Sequence, residues 1–182
     1  MTRLPHVSDP LFTIIDTLKA TEPHPEIREQ LMLFGQFIGA WEMDVSFFDR
    51  DQKETYRQKN EWRFSWILDG WMIQDVLFGP HPKDLSVVPG SRRIGTSLRQ
   101  YDSTRKLWRV SWFGAASGIV IHLEGGETSN GIELRGIEDN GNMLRWRFSE
   151  IRPNSFLWTG HASDDQGQNW FLEQQMIAKR LL

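Results

Sequence analysis

Between Tyr56 and Ile67 the chain alternates almost without a break. Gln58, Asn60, Trp62 and Trp66 fall on one face with Phe64, and Arg57, Lys59, Glu61, Arg63 and Ser65 fall on the other. Period-two alternation of this kind marks a strand with one side in water and one side inside. The inner side is unusual because it carries two amides beside two indoles. A buried amide left without a partner costs roughly 1–3 kcal/mol, so amides among aromatics point to enclosed water or a ligand rather than a dry filling. Asp75 on the next apolar run and Arg99 and Tyr101 on the one after it add two charges and a phenol. A charge taken out of water is expensive unless paired, so an inward Asp75 and Arg99 would need each other or a polar ligand. Both faces of the Arg99 segment are mixed, Ile94, Thr96 and Leu98 against Ser97, Arg99 and Tyr101, so the opposite parity, with these groups outside, stays open.

The chemistry these residues support is recognition first and acid/base catalysis second. Trp112, Trp146 and Trp158 lie on later alternating runs, and with Trp62 and Trp66 they would wall a pocket whose polar anchors are Gln58, Asn60, Asp75, Arg99 and Tyr101. Aromatic walls with a few polar groups are the usual make-up of a small-molecule site. If a proton is moved there, Asp75 or Tyr101 would carry it; burial among tryptophans would favour a protonated Asp75, pairing with Arg99 an ionised one. No other chemistry announces itself. There is no cysteine, hence no thiolate nucleophile, disulfide or thiolate metal site. The five histidines stand at no metal-ligand spacing: His6, His24 and His81 fall in loops or near helix ends, and His122 and His161 alternate outward. No metal is expected, and neither a G-x-S-x-G nor a phosphate loop is present.

These residues need a scaffold of strands. Asp9-Pro10 reads as a helix start, with Leu11, Ile14, Ile15 and Leu18 on one face to about Ala20. A second helix runs from about Pro25 to Ile38, with Ile27, Leu31, Phe34 and Ile38 on a stripe wide enough to be buried across the end of a barrel. From Trp41 onward the pattern predicts about ten strands: 41–48, 55–67, 71–78, 94–101, 107–113, 119–124, 131–136, 143–150, 156–162 and 170–179. Tight turns such as Leu68-Asp69-Gly70 and Asp139-Asn140-Gly141 join them. The prediction is a mainly β chain: one antiparallel up-and-down barrel, capped at one end by two N-terminal helices, with residues 1–38 as the cap and 39–182 as the barrel of a single domain. An open sheet curled around the second helix is the alternative. Gly79 to Arg92, with three prolines, is a long loop that reads equally as a lid and as a surface insertion.

Gly39-Ala40-Trp41, a Gly-x-Trp at the head of the first strand, resembles the entry motif of lipocalin-like (calycin) barrels. The resemblance implies that the indole of Trp41 plugs one end and that Arg180, at the end of the last strand, packs over it. Leu98-Arg-Gln-Tyr-Asp102, Trp108-Arg-Val-Ser-Trp112 and Ser163 to Trp170 resemble a bacterial family of lipocalin-like proteins over roughly residues 26 to 182. More distantly the chain is similar to nitrobindin-like and fatty-acid-binding-protein-like barrels. Nitrobindin-like proteins hold heme through a histidine near the C-terminus; Trp170 to Leu182 has none, so no heme or other cofactor is expected. Ser163-Asp-Asp165-Gln-Gly167-Gln-Asn-Trp170 is similar to the Asp-box hairpin of sialidases, where it is a structural turn. Asp165 would hold the backbone, Gly167 would take a positive φ and Trp170 would pack beneath.

The resemblance implies a small, mostly apolar or aromatic ligand enclosed by the barrel. An isomerase, lyase or hydrolase acting on such a molecule is the alternative, and an interaction module with a filled barrel is the third reading. A net charge of −3 does not favour nucleic acid or an anionic membrane, and no apolar run reaches the roughly 18 residues of a membrane helix. Met1 to His6 shows no signal-peptide pattern, which with the absence of cysteine suggests the cytoplasm. Apolar residues on outer faces, such as Phe48, suggest a homodimer.

Overall fold

The computed structural model describes residues 13–80 and 93–181. The start of the first helix near Asp9-Pro10, Leu11, His6, and most of the Gly79–Arg92 loop including His81 therefore lie outside the described residues. Helix α1 (Ile14–Leu18), a 3-10 turn (Pro25–Ile27) and α2 (Arg28–Gly35) precede ten strands: β1 (Gly39–Phe48), β2 (Glu54–Ile67), β3 (Met72–Gly79), β4 (Arg93–Asp102), β5 (Leu107–Gly114), β6 (Ile119–Thr128), β7 (Gly131–Ile137), β8 (Met143–Arg152), β9 (Ser155–Ser163) and β10 (Phe171–Arg180). Each strand pairs antiparallel with its sequence neighbours, and β1 pairs with β10, from Trp41↔Arg180 to Phe47↔Gln174, so the barrel is closed. Closure leaves no unpaired edge. No described helix is long and apolar enough to cross a membrane.

The alternation read from β2 sets the inside. Asn60, Trp62, Phe64 and Trp66 are buried, whereas Lys59, Arg63 and Ser65 are exposed. The same parity places Met43 and Val45 of β1, Leu134 of β7, Phe148 of β8 and Met176 of β10 in one core. Fully burying one such side chain contributes about 1.5–3 kcal/mol.

Closing the end of the barrel near Trp41 falls to α2 and the turn after it. Leu31 and Phe34 are completely buried, and Phe34 meets Trp108 and Phe148 edge-on at 4.7 and 5.6 Å between ring centroids. The helix ends earlier than the apolar stripe suggests. It stops at Gly35, and tight turns (Phe37 N to Phe34 O, 3.0 Å; Ile38 N to Gly35 O, 3.1 Å) swing Phe37 inward. A side chain at 35 has no room, since a Cβ there would stand 2.7 Å from the Trp66 ring. Helix α1 contributes little to the plug: Ile14 and Ile15 are 73% and 67% exposed. The chain after it docks instead on the β2–β3 hairpin through Leu68 N to Leu18 O, 3.0 Å, and His24 N to Gly70 O, 3.1 Å.

Arg180 seals the seam. Its guanidinium carbon lies 4.0 Å from the centre of the Trp41 ring, and its three nitrogens donate to the carbonyls of Pro153 (2.8 Å), Ile38 (2.7 Å) and Gln36 (2.8 Å). Trp41 Nε1 donates to Phe37 O at 2.7 Å, so one cation and one indole fasten the cap, the first strand and the last. Gly39, at φ +122°, supplies the backbone angle that admits the guanidinium beside it. Arg180→Ala strips partners from three carbonyls and should lower stability by about 2–3 kcal/mol, read as a drop in the urea midpoint with the slope unchanged; an unchanged midpoint would show that the seam holds without it.

Candidate functional site

Asp75 of β3 and Arg99 of β4 both point inward and are fully buried. Arg99 Nε and Nη2 donate to Asp75 Oδ2 at 2.8 and 2.6 Å. The second oxygen, Oδ1, accepts from Trp62 Nε1 at 2.8 Å and from Ser97 N at 3.3 Å. Every lone pair direction of the carboxylate is thus used by a donor that the neighbouring strands fix in place. The guanidinium lies among ring faces, 4.8 Å from the centre of Phe34, 5.6 Å from Phe64 and Phe148 and 6.0 Å from Trp62. Such contacts reward a cation. Phe34, delivered by α2, is what shuts the pair away.

On the far side of this layer the barrel is hollow. A cavity of about 190 Å³ is bounded by Trp62, Trp112, Trp146 and Trp158, with Ile121 and Met176 completing its apolar wall. The indoles meet edge to face in a chain: Trp62 with Trp158 at 6.5 Å, Trp158 with Trp146 at 5.4 Å, and Trp146 with Trp112 at 6.4 Å. An apolar cavity of about 150 Å³ takes a benzene, so this one holds a molecule slightly larger. It opens toward the end opposite α2, into a vestibule of about 480 Å³ that shares Leu77, Trp112, Ile119 and Gln174 with it and is lined also by Gln58, Asn60 and Phe47.

The residues singled out from the sequence therefore separate into five places. Trp62, Trp112, Trp146 and Trp158 meet at the cavity. Gln58 and Asn60 line the vestibule and bond each other, Gln58 Nε2 to Asn60 Oδ1 at 2.8 Å, with Asn60 only 3% exposed. Asp75 and Arg99 lie beneath the cavity floor and are not part of its lining; Ser97, which does line it, stands between. Trp66 is packed against Gly35 at the helix end, and Tyr101 faces a separate groove beside α2, with Leu33 and Trp108. Asp75 and Tyr101 thus share no chamber, and the carboxylate has its oxygens occupied, which leaves neither placed for acid/base work on a molecule in the cavity. His122 is exposed and within 2.9 Å of Ser111 Oγ. His161 is half-buried on the outer face, where burial and the neighbouring Arg145 hold its pKa below the usual value. Among the described residues no three histidine or carboxylate side chains converge on a point that could hold a metal ion.

The turn after β9 is held by its own side chains. Asp165 accepts from Asn169 N (2.9 Å) and Ser163 Oγ (2.7 Å), which lowers its pKa to about 2. Gly167 adopts φ +86°, and Trp170 Nε1 donates to its carbonyl at 3.0 Å.

Several residues at the cavity escaped the sequence reading. Gly95 and Gly160 face inward beside Trp112 and Trp158. A methyl group at 95 would overlap the Trp112 ring, and one at 160 would stand 2.7 Å from the tip of Trp158. The glycines let both indoles lie flat along the wall. Glu138 and Gln174 line the mouth. Glu173, next to Gln174, lies where the β10 register slips; burial raises its pKa above the usual 4.5, and the Glu138 charge raises it further against the opposing pull of Arg50. The signal for the glycines was their period-two placement. Glu138 and Glu173 sit in a turn and a bulge, where that period is lost.

Two predictions follow from these positions. Arg99→Ala leaves Asp75 buried and unpaired and should cost about 3–5 kcal/mol, while Asp75→Leu with Arg99→Met should recover most of that loss; denaturant titration that finds the double variant as weak as the single one would count against a sealed pair. Glu173, with its pKa raised on folding, binds its proton more tightly when folded. Its ionised form therefore destabilises the protein above the raised value and has no effect well below 4.5. Glu173→Gln should raise the urea midpoint at pH 7.5 and leave it unchanged at pH 3.5.

The chain matches no protein-family model and no curated protein. Its closed ten-strand antiparallel barrel is consistent with a lipocalin-like fold.

Proposed function

We propose that the protein binds a small, mostly apolar or aromatic molecule in the open half of the barrel. The observation that carries this reading is the cavity of about 190 Å³ walled by four tryptophans. Among the described residues no side chain fills that space as Phe34 fills the other end, and inward positions beside the indoles hold glycine. An interior built only for stability is packed to near crystal density. The half-filled interior argues against a barrel that serves purely as an interaction module, and the vestibule with Gln58 and Asn60 offers polar anchors at the entrance.

Tryptophan emission should change on titration with indole or a naphthol, and protein taken from its own host should carry a co-purifying small molecule in native mass spectrometry. Trp146→Ala is the informative variant, because Trp146 is only half-buried, whereas Trp62 also holds Asp75. Its loss should weaken binding about tenfold, ~1.4 kcal/mol, with the urea midpoint little changed. No response to any probe, or unchanged affinity in the variant, would remove the reading.

A further inference from the structure

The outer wall formed by β7, β8 and β9 gathers positive charge in a protein whose net charge is −3. Arg135 stands directly opposite Arg145, and Arg145 directly opposite His161, in one row across the three strands. In the next row Glu133 faces Arg147, and Arg147 faces Thr159. Glu124 extends the first row on β6, but both of its oxygens are held by Arg105. Like charges directly opposite one another destabilise a sheet, a cost that a bound anion would offset. This wall lies across the barrel from β2, β3 and β4, hence away from residues 81–92, which join β3 to β4.

The arginines are held in place with their outer nitrogens unspent. Glu133, whose side chain is 13% exposed, accepts from Arg135 Nε at 2.7 Å and from Arg147 Nε at 2.6 Å. Among the described residues the Nη groups of both make no hydrogen bond. Arg145 has no carboxylate partner there. Its guanidinium carbon lies 4.2 Å from the centre of the Trp170 ring, so the indole, rather than an anion, sets its position. Beside Arg147 the surface is concave. An open pocket of about 460 Å³ is lined by Glu133, Arg147 and a set of small polar residues that includes Ser129, Asn130, Ser149 and Thr159.

The fork of a guanidinium matches carboxylate and phosphate alike. A phosphoryl group offers three terminal oxygens and a charge of about −1.5 to −2 at pH 7, which suits several guanidinium groups at once better than the two oxygens and single charge of a carboxylate. We propose that this wall binds a phosphate monoester carried by a small hydroxylated molecule. Its phosphoryl oxygens accept from the Nη groups of Arg145 and Arg147, Arg135 adds charge at the edge, and its hydroxyl groups lie in the pocket against Asn130, Ser149 and Thr159. The site shares no residue with the tryptophan cavity, so either can fail without the other.

Methyl phosphate and methyl sulfate have the same shape and differ by nearly one negative charge at pH 7.5. In isothermal titration of the full chain at low ionic strength, the phosphate should bind about fivefold tighter than the sulfate. Glycerol 3-phosphate should bind about threefold tighter than methyl phosphate. Arg145→Gln should weaken glycerol 3-phosphate about fivefold, whereas Arg57→Gln, an exposed position on β2 across the barrel, should leave it unchanged. His161 reports occupancy in unaltered protein. Burial, then Arg145 and Arg147, hold its pKa low against the opposing pull of Glu133. A phosphoryl group seated on Arg145 should therefore raise the midpoint that proton NMR reads for His161, with His122, bonded to Ser111 on β6, unmoved. No binding of either phosphate ester, equal affinity for methyl phosphate and methyl sulfate, unchanged binding in Arg145→Gln, or an indifferent His161 would overturn the proposal. Glycerol 3-phosphate no tighter than methyl phosphate would overturn the part assigned to the pocket.

Discussion

Two opposite charges removed from water each lose several kcal/mol of hydration, and their attraction recovers it only when the geometry is good and the remaining polar atoms find partners. Asp75 meets that condition by recruiting the layer around it, whereas Arg99 leaves one nitrogen, Nη1, buried without a hydrogen-bond partner. The carboxylate takes Trp62 Nε1 and Ser97 N in addition to the guanidinium, and the guanidinium rests among four aromatic rings. Trp62 cannot move without exposing Asp75, and Phe34 cannot leave without wetting Arg99. The pair thus ties β2, β3, β4 and α2 into one arrangement and gives the cavity a rigid floor. Its contribution to net stability is small or even negative against a well-packed apolar layer.

Above that floor the interior changes character. The helix-capped half is filled by rings from α2, β2, β5, β8 and β9. Among the described residues the other half is walled by rings but not filled, and Gly95 and Gly160 leave room for the rings of Trp112 and Trp158 beside the sheet. A ring chain of edge-to-face contacts keeps these indoles in place, each contact contributing about 0.5–1.5 kcal/mol beyond burial. Rigid walls around an open volume are what a binding site requires, since a guest then orders little on arrival.

Much of this could be read in the sequence, and what could not has physical causes. The strand boundaries and the inward face of β2 were legible because alternation at period two is a property of the strand itself. The inward direction of Asp75 and Arg99 was less secure, since Gln74 and Thr96 on the outer face are also half-buried and blur the contrast. What alternation could not convey was depth. It tells which side of a sheet a residue faces, not how far along the barrel it lies, so alternation groups Asp75 and Arg99 with the cavity tryptophans, whereas Ser97 stands between the pair and the cavity and Phe34 covers the pair from the α2 side. Helix α2 ended early for a similar reason: the apolar stripe continues through Phe37 and Ile38, but the contact of Gly35 with Trp66 is a tertiary event. Glu138 and Glu173 were invisible because turns and bulges break the period on which the reading depends.

The central claim is that the barrel is sealed around Asp75 and Arg99 and hollow between the tryptophans. A crystal soaked with iodobenzene tests it most directly, because the anomalous signal of iodine locates the guest without a model of the ligand. The account predicts one strong peak enclosed by Trp112, Trp146 and Trp158 and none between Phe34 and Arg99. A peak beside the guanidinium, or an empty cavity at saturating probe, would contradict it.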